Sequence, residues 1–108
     1  MRMATPAELE EKMMSIVSDL ASELISLTPE FMKVIEFEIV STDDGGADIG
    51  LMETHPEVKN VSLSREVYHL CSDYLPLVKR YATGWKRSLF TLKEEEGSWN
   101  ISINLEYR

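Results

Sequence analysis

The chain has 108 residues, of which 44% are hydrophobic and 28% are charged. This length fits one domain spanning residues 1–108, because single domains cluster at about 100–150 residues. Nineteen acidic and eleven basic residues give a formal net charge of −8, which argues against nucleic acid as a direct ligand. No stretch approaches the roughly 18 uncharged apolar residues of a transmembrane helix, so we expect no membrane association.

The start of the sequence and its cysteine content favour a cytoplasmic protein. Met1-Arg2-Met3 is followed by an acidic segment with the features of a helix start, and not by the apolar run of a secretory signal. Cys71 is the only cysteine, so a disulfide framework within the chain is excluded. We therefore expect the protein to work in the cytoplasm.

The first predicted element is a helix over residues 6–27. Thr5 and Glu8 have the spacing of a capping box, and Pro6 suits the first helical turn. Apolar residues then recur at helical spacing and form one apolar side. Pro29 ends the pattern, because a residue that precedes proline disfavours the α region.

A β-hairpin is predicted next, with strands at about 33–41 and 47–53. Apolar and acidic residues alternate in the first strand, so Glu36 and Glu38 should point away from the core. An Asp-Asp-Gly-Gly segment between the strands is a turn signal. The same period of two places Asp48 on the outward side of the second strand.

The aspartates of this hairpin, Asp43, Asp44 and Asp48, raise the alternative of a calcium site. An EF-hand loop needs alternating acids, a central glycine and a distal glutamate, and that pattern is absent. A hairpin turn is therefore the favoured interpretation. The sequence predicts no metal ion and no cofactor.

A second helix is predicted at about 64–82, capped by Ser62 or Ser64. His69 falls on its polar side and Cys71 on its apolar side, about 200° apart, so the two cannot form a nucleophilic pair. The sequence also lacks a phosphate-binding glycine loop and a nucleophile elbow. We expect no enzymatic activity.

Two further strands are predicted at Trp85–Lys93 and Ser98–Tyr107. The last strand alternates apolar and polar residues throughout. The preceding strand carries apolar pairs of both parities, so a regular strand would expose one pair. Exposure of the pair containing Phe90 would make it a partner-binding anchor, whereas a β-bulge would turn both pairs inward.

The predicted element order is α-β-β-α-β-β, which is an α+β fold. Four strands with an apolar face need a cover, and two amphipathic helices supply it. We therefore predict a two-layer α/β sandwich whose four-stranded, largely antiparallel sheet is covered on one face by both helices. The other sheet face is left to solvent or to a partner.

The closing segment combines Trp85, the Phe90–Leu92 segment, Gly97 and an aromatic-ended strand from Trp99 to Tyr107. Together with the N-terminal helix and the acidic hairpin, this pattern resembles the YezG-like immunity or antitoxin family. That family includes immunity proteins of contact-dependent growth inhibition and other polymorphic toxin systems. The resemblance implies a protein that binds and neutralises a cognate toxin.

The charge distribution favours a basic protein partner. Residues 1–57 hold thirteen acids and three bases, whereas residues 58–108 hold six acids and eight bases. Nuclease clefts are basic because they hold phosphates, so we expect a nuclease toxin bound in a 1:1 complex by a monomer. A merely solubilising surface would have the same composition. The predicted contact residues are Glu36, Glu38, Asp43, Asp44, Asp48, Glu53 and Phe90.

The alternative function is that of a secretion chaperone. Such proteins are also small, acidic α/β domains, and they usually bind a disordered effector segment as dimers. Size and charge do not separate the two functions. A dimer that holds an unfolded segment would favour the chaperone, and a monomer that covers a folded domain would favour the immunity protein.

Overall fold

Two α-helices and four strands occur within residues 6–107, in the order predicted from the sequence. The structure is a computed structural model that describes residues 6–107. It confirms the α+β fold class and the four-stranded antiparallel sheet. The cap predicted at Thr5 lies outside the described residues. The elements are α1 (Pro6–Leu27), β1 (Val34–Ser41), β2 (Ala47–Leu51), α2 (Arg65–Tyr81), β3 (Trp85–Glu95) and β4 (Ser98–Tyr107).

Three segments differ from the prediction, and the first is β2, which ends at Leu51 and not at residue 53. β3 extends to Glu95, so the turn into β4 is confined to Glu96 and Gly97, which both adopt positive φ angles. The predicted loop after β2 contains a short 3-10 helix at Pro56–Asn60. His55 caps this helix by accepting the backbone N–H of the second residue after it, at 3.0 Å. The sequence did not predict it, because histidine is not among the usual capping residues.

The sheet has the strand order β2-β1-β3-β4, and every neighbouring pair is antiparallel. Its register places Phe37 opposite Phe90 and Ile39 opposite Ser88. These four residues are at most 1% exposed, whereas Glu38, between Phe37 and Ile39 on β1, is half-buried. The buried side chains pack with those of α1 and α2 in one core. We call this covered side of the sheet the inner face and the opposite side the outer face.

Ser64 is the residue that caps α2 and also connects it to α1. Its Oγ accepts the backbone N–H of Val67 at 3.3 Å, which satisfies one of the unpaired donors at the helix start. The same hydroxyl donates to Glu23 Oε1 of α1 at 2.9 Å. The two helices are therefore fixed next to each other over the inner face.

A β-bulge at the start of β3 resolves the parity of its apolar residues. Trp85 lies opposite the end of β4, but the register shifts before Arg87, so Lys86 is the extra residue. The bulge places Trp85 on the inner face with Phe90, and leaves Leu89 half-buried on the outer face. The prediction that Phe90 contacts a partner is therefore wrong, since its side chain is 1% exposed.

A buried hydrogen-bond network connects α2 to this bulged strand. Ser88 Oγ accepts the indole N–H of Trp85 at 2.9 Å and lies 2.7 Å from the hydroxyl of Tyr74. Burial raises the pKa of Tyr74 to about 12, so its phenol stays protonated at neutral pH. One serine therefore satisfies the polar groups of two large buried side chains.

We predict that Ser88→Ala destabilises the fold more than Tyr74→Phe does. Alanine leaves both Tyr74 and Trp85 without a partner, at a cost of about 2–4 kcal/mol, whereas phenylalanine removes one hydrogen bond for about 1 kcal/mol. Urea unfolding followed by tryptophan fluorescence measures both free energies. Equal losses would show that the network does not depend on Ser88.

Candidate protein-binding surface

The outward side of the β1–β2 hairpin carries most of the predicted contact residues. Glu38 lies directly opposite Gly50, and Asp48 lies two residues before Gly50 on the same strand. Glu36 lies at the next outward position of β1, where its carbonyl accepts the N–H of Met52 at 2.8 Å. We call this outward side, with the turn at its tip and the segment at its base, the acidic hairpin surface.

At Gly50, in the middle of the acidic hairpin surface, the backbone is not covered by side chains. A Cβ atom placed on Gly50 would meet no other atom within 4 Å. Among residues 6–107, no hydrogen bond or ion pair engages the carboxylates of Glu36 or Asp48. Two available carboxylates therefore lie beside a position where a side chain from outside can approach the backbone.

Glu38 differs from these two acids because it is bound within the protein. Arg87 Nε donates to Glu38 Oε2 at 2.7 Å, and Arg87 also pairs with Glu106 of β4. These two hydrogen bonds, first that to Glu38, raise the pKa of Arg87. The three side chains form a network across three strands with a net charge of −1. Glu38 thus contributes less charge to a partner than the sequence suggested.

The tip of the hairpin is held by Asp44. Its Oδ1 accepts the hydroxyl of Thr42 and the backbone N–H of Gly46, the latter at 3.0 Å. The Thr42 hydroxyl, followed by the Gly46 N–H, lowers the pKa of Asp44 below its ordinary value. This geometry confirms the predicted turn and gives Asp44 a structural role, while Asp43 beside it is exposed.

A cleft of about 370 Å³ separates this tip from the end of α2. Lys79 of α2 crosses toward the hairpin and donates to the Gly45 carbonyl at 2.7 Å. Asp43 lies on the hairpin side of the cleft, and Trp85 lies at its sheet side. The tip is therefore positioned against the helix and is not an isolated loop.

Glu53 lies at the base of the hairpin, beyond the end of β2. Its side chain is exposed, and it lines a shallow cleft with Val58 and Lys59 of the following segment. The predicted acids therefore extend along the whole hairpin, from the tip to the base. The structure brings Glu36, Glu38 and Asp48 together on one face, and places Glu53 at the opposite end from Asp43.

The outer face offers a different apolar residue from the one predicted. Leu89 lies opposite Glu38 on one side and opposite Asn104 on the other, and it is half-buried. It is the apolar side chain in the cross-strand row formed by Gly50, Glu38, Leu89 and Asn104. The sequence showed apolar residues at both odd and even positions of β3, so one set had to face outward. No residue in the sequence marks the bulge that decides which set does so.

Cys71 and His69 lie on different sides of α2 and do not form a nucleophilic pair. Cys71 is buried in the core, and burial raises the pKa of its thiol to about 12, so it stays protonated. His69 is exposed on the other side of α2, as predicted. Over residues 6–107, no group of three His, Cys, Asp or Glu side chains is placed to hold a metal ion.

Comparisons with known proteins add no relative to this description. No protein-family model matches the chain, and the search of curated proteins finds no match. The resemblance to YezG-like immunity proteins therefore stays a prediction from the sequence pattern. Neither helix in the described part of the chain has the length and apolarity needed to cross a membrane.

We predict that Asp44 stabilises the fold in a pH-dependent way. Because its folded-state pKa lies below the ordinary value of 3.8, its ionised form contributes stability above that pH. The contribution is lost as the pH falls through the folded-state pKa. The difference in unfolding free energy between the wild type and Asp44→Asn should therefore narrow as the pH falls from about 5 through 3.8 and below.

The matched control for this measurement is Asp43→Asn, which removes the same charge from the same turn. Asp43 lacks the two hydrogen bonds that lower the pKa of its neighbour. Asp43→Asn should therefore have a smaller effect on the pH dependence of the unfolding free energy. Equal narrowing for both variants would attribute the effect to the net charge of the turn, not to the hydrogen bonds of Asp44.

Proposed function

We propose that this protein is a cytoplasmic immunity protein that binds a cognate toxin domain through the acidic hairpin surface. The toxin is proposed to be a nuclease with a basic surface, because a cleft that holds phosphates complements an acidic partner. Each chain binds one toxin domain. The protein acts by occupying a surface of the toxin and transforms no substrate itself.

The observation that carries this proposal is the open site around Gly50. Glu36 and Asp48 project outward beside it, without partners in the described part of the chain. A lysine or arginine of a partner can approach the backbone there and pair with either carboxylate. Such pairs fix the register of a complex and accelerate association at low ionic strength.

The surroundings of this site fit a protein contact better than a small-molecule site. Leu89 and Val40 supply apolar side chains on the outer face, and Leu89 lies between Glu38 of β1 and Asn104 of β4. An apolar anchor within a polar rim is the usual composition of a protein interface. The nearby clefts are shallow: the one at the tip is lined mainly by small, polar and charged residues with Trp85, and the one at the base by aliphatic residues with Glu53 and Lys59.

Co-expression with the toxin encoded by the neighbouring gene tests the proposal directly. The wild-type protein should keep the cells alive. The double variant Glu36→Lys and Asp48→Lys should protect poorly, because it places two cations where the toxin presents its own. Cell death in the presence of folded wild-type protein would refute the proposed function.

The matched control for the double variant is Glu11→Lys with Asp19→Lys on α1. Both positions are exposed, and this pair changes the net charge of the protein by the same amount as the hairpin pair. It should retain protection, because the added cations lie on the helix layer. Equal loss by the two double variants would show that total charge, and not the acidic hairpin surface, determines binding.

A steric variant separates contact from long-range attraction. Gly50→Tyr places a large side chain over the uncovered backbone at this position without changing the net charge. The unfolding free energy should stay equal or rise, because glycine is unfavourable in strands. We expect a dissociation rate at least about tenfold faster from the purified toxin domain, with little change in salt dependence. Unchanged dissociation would place the contact elsewhere on the protein.

A further inference from the structure

The two edges of the sheet differ in length and protection. β2 forms one edge with five residues, whereas β4 forms the other with ten. β4 contains no proline, no lysine and no bulge of its own, and these are the features that usually protect an exposed edge. A long unprotected edge of this kind is a template for pairing with another strand.

The backbone groups at the open edge of β4 belong to its odd-numbered residues. Glu94 donates its N–H to the Lys33 carbonyl at 2.9 Å, so even-numbered residues of β3 turn their backbone groups toward β1. Odd-numbered residues of β3 turn toward β4, where their partners are even-numbered. The β4 residues that direct N–H and C=O groups to the open edge therefore include Ile101, Ile103 and Leu105.

The inner side of β4 is only partly covered by the helices. Ile101 is 39% exposed and Tyr107 is 56% exposed, although both belong to the apolar side of the strand. Trp99, Ile103 and Leu105 on the same side are half-buried against the core. An added strand with apolar residues on this side would remove further apolar surface from water.

The charge along β4 is close to neutral. Glu106 is its only charged residue, and Arg87 of β3 already pairs with it. The carboxylates of Glu36 and Asp48 lie on the β1–β2 hairpin, at the other end of the sheet, and those nearest to β4 are Glu95 and Glu96 at the turn before it. Along β4 itself a basic partner therefore meets no unpaired carboxylate, and a second acidic chain meets little repulsion.

We propose that a second copy of this chain pairs its β4 with β4 in antiparallel orientation, centred on Ile103. In this register Ile103 lies opposite its own equivalent, and Ile101 lies opposite Leu105 of the second copy. Trp99 then lies opposite Tyr107, so apolar residues meet apolar residues along the inner side. On the outer side Glu106 faces an asparagine and not another acid, since Asn100 occupies that position.

The resulting dimer has one eight-stranded sheet with two-fold symmetry. Its strand order places β4 and its equivalent at the centre, and both acidic hairpins at the outer ends. Like charges are thereby separated as far as the topology allows. This separation is the reason that a second copy, and not an unrelated extended peptide, is the occupant we assign to the edge.

Sedimentation velocity over a range of protein concentrations tests the proposal with the protein alone. The wild type should give a sedimentation coefficient that corresponds to twice the mass of one chain. Ile101→Lys, at a partly exposed edge position, should weaken dimerisation by about tenfold or more, because lysine blunts strand pairing. Tyr68→Lys replaces an exposed residue on α2 and should leave the dimer intact.

A second variant distinguishes edge pairing from a loss of folding. Ile103→Pro removes an N–H that faces the open edge and removes no donor of the β3–β4 ladder. The variant should therefore be folded by circular dichroism and monomeric by sedimentation velocity. A monomeric wild type at high concentration would overturn the proposal. So would a dimer that survives both β4 variants, or one that Tyr68→Lys disrupts as strongly. None of these results depends on the toxin, so the proposed function is tested separately.

Discussion

The bulge between Trp85 and Arg87 determines the two sides of the sheet. By turning Trp85 inward, it allows Ser88 to accept the indole N–H and to bond Tyr74, which connects the sheet to α2. The same shift turns Arg87 outward between Glu38 and Glu106. One extra residue therefore positions a buried polar network and an ion-pair network on opposite faces.

The outward position of Arg87 also explains where the negative charge remains available. Its guanidinium is shared by carboxylates from β1 and β4, so the centre of the outer face is nearly balanced. The acids beyond its reach, Glu36 and Asp48, keep their charge for other molecules. Arg87 belongs to β3 and Asp48 to the edge strand β2, so within residues 6–107 the unpaired negative charge of the outer face lies toward the hairpin end of the sheet.

The fold was largely predictable from the sequence, whereas the interface residues were only partly so. Periods of two and of 3.6 predicted the faces of β1 and α2 correctly, because burial there follows the local pattern. Phe90 was assigned to the surface because parity alone cannot locate a bulge. The pairing of Glu38 with Arg87 joins residues 49 positions apart, so it depends on strand order, which the local pattern does not encode.

The two surfaces proposed for this protein lie at opposite ends of one sheet, and this arrangement bears on the choice between immunity protein and chaperone. Dimerisation through β4 would satisfy one expectation for a chaperone, but it would also occupy the edge on which an extended effector segment could add as a strand. The surface left free at each end of the dimer is the acidic hairpin surface, which presents charge, an open glycine and only the five-residue edge of β2 for an added strand. A folded basic domain fits that surface better than an unfolded segment does, so a dimer of this geometry is compatible with an immunity protein that holds two toxin domains far apart.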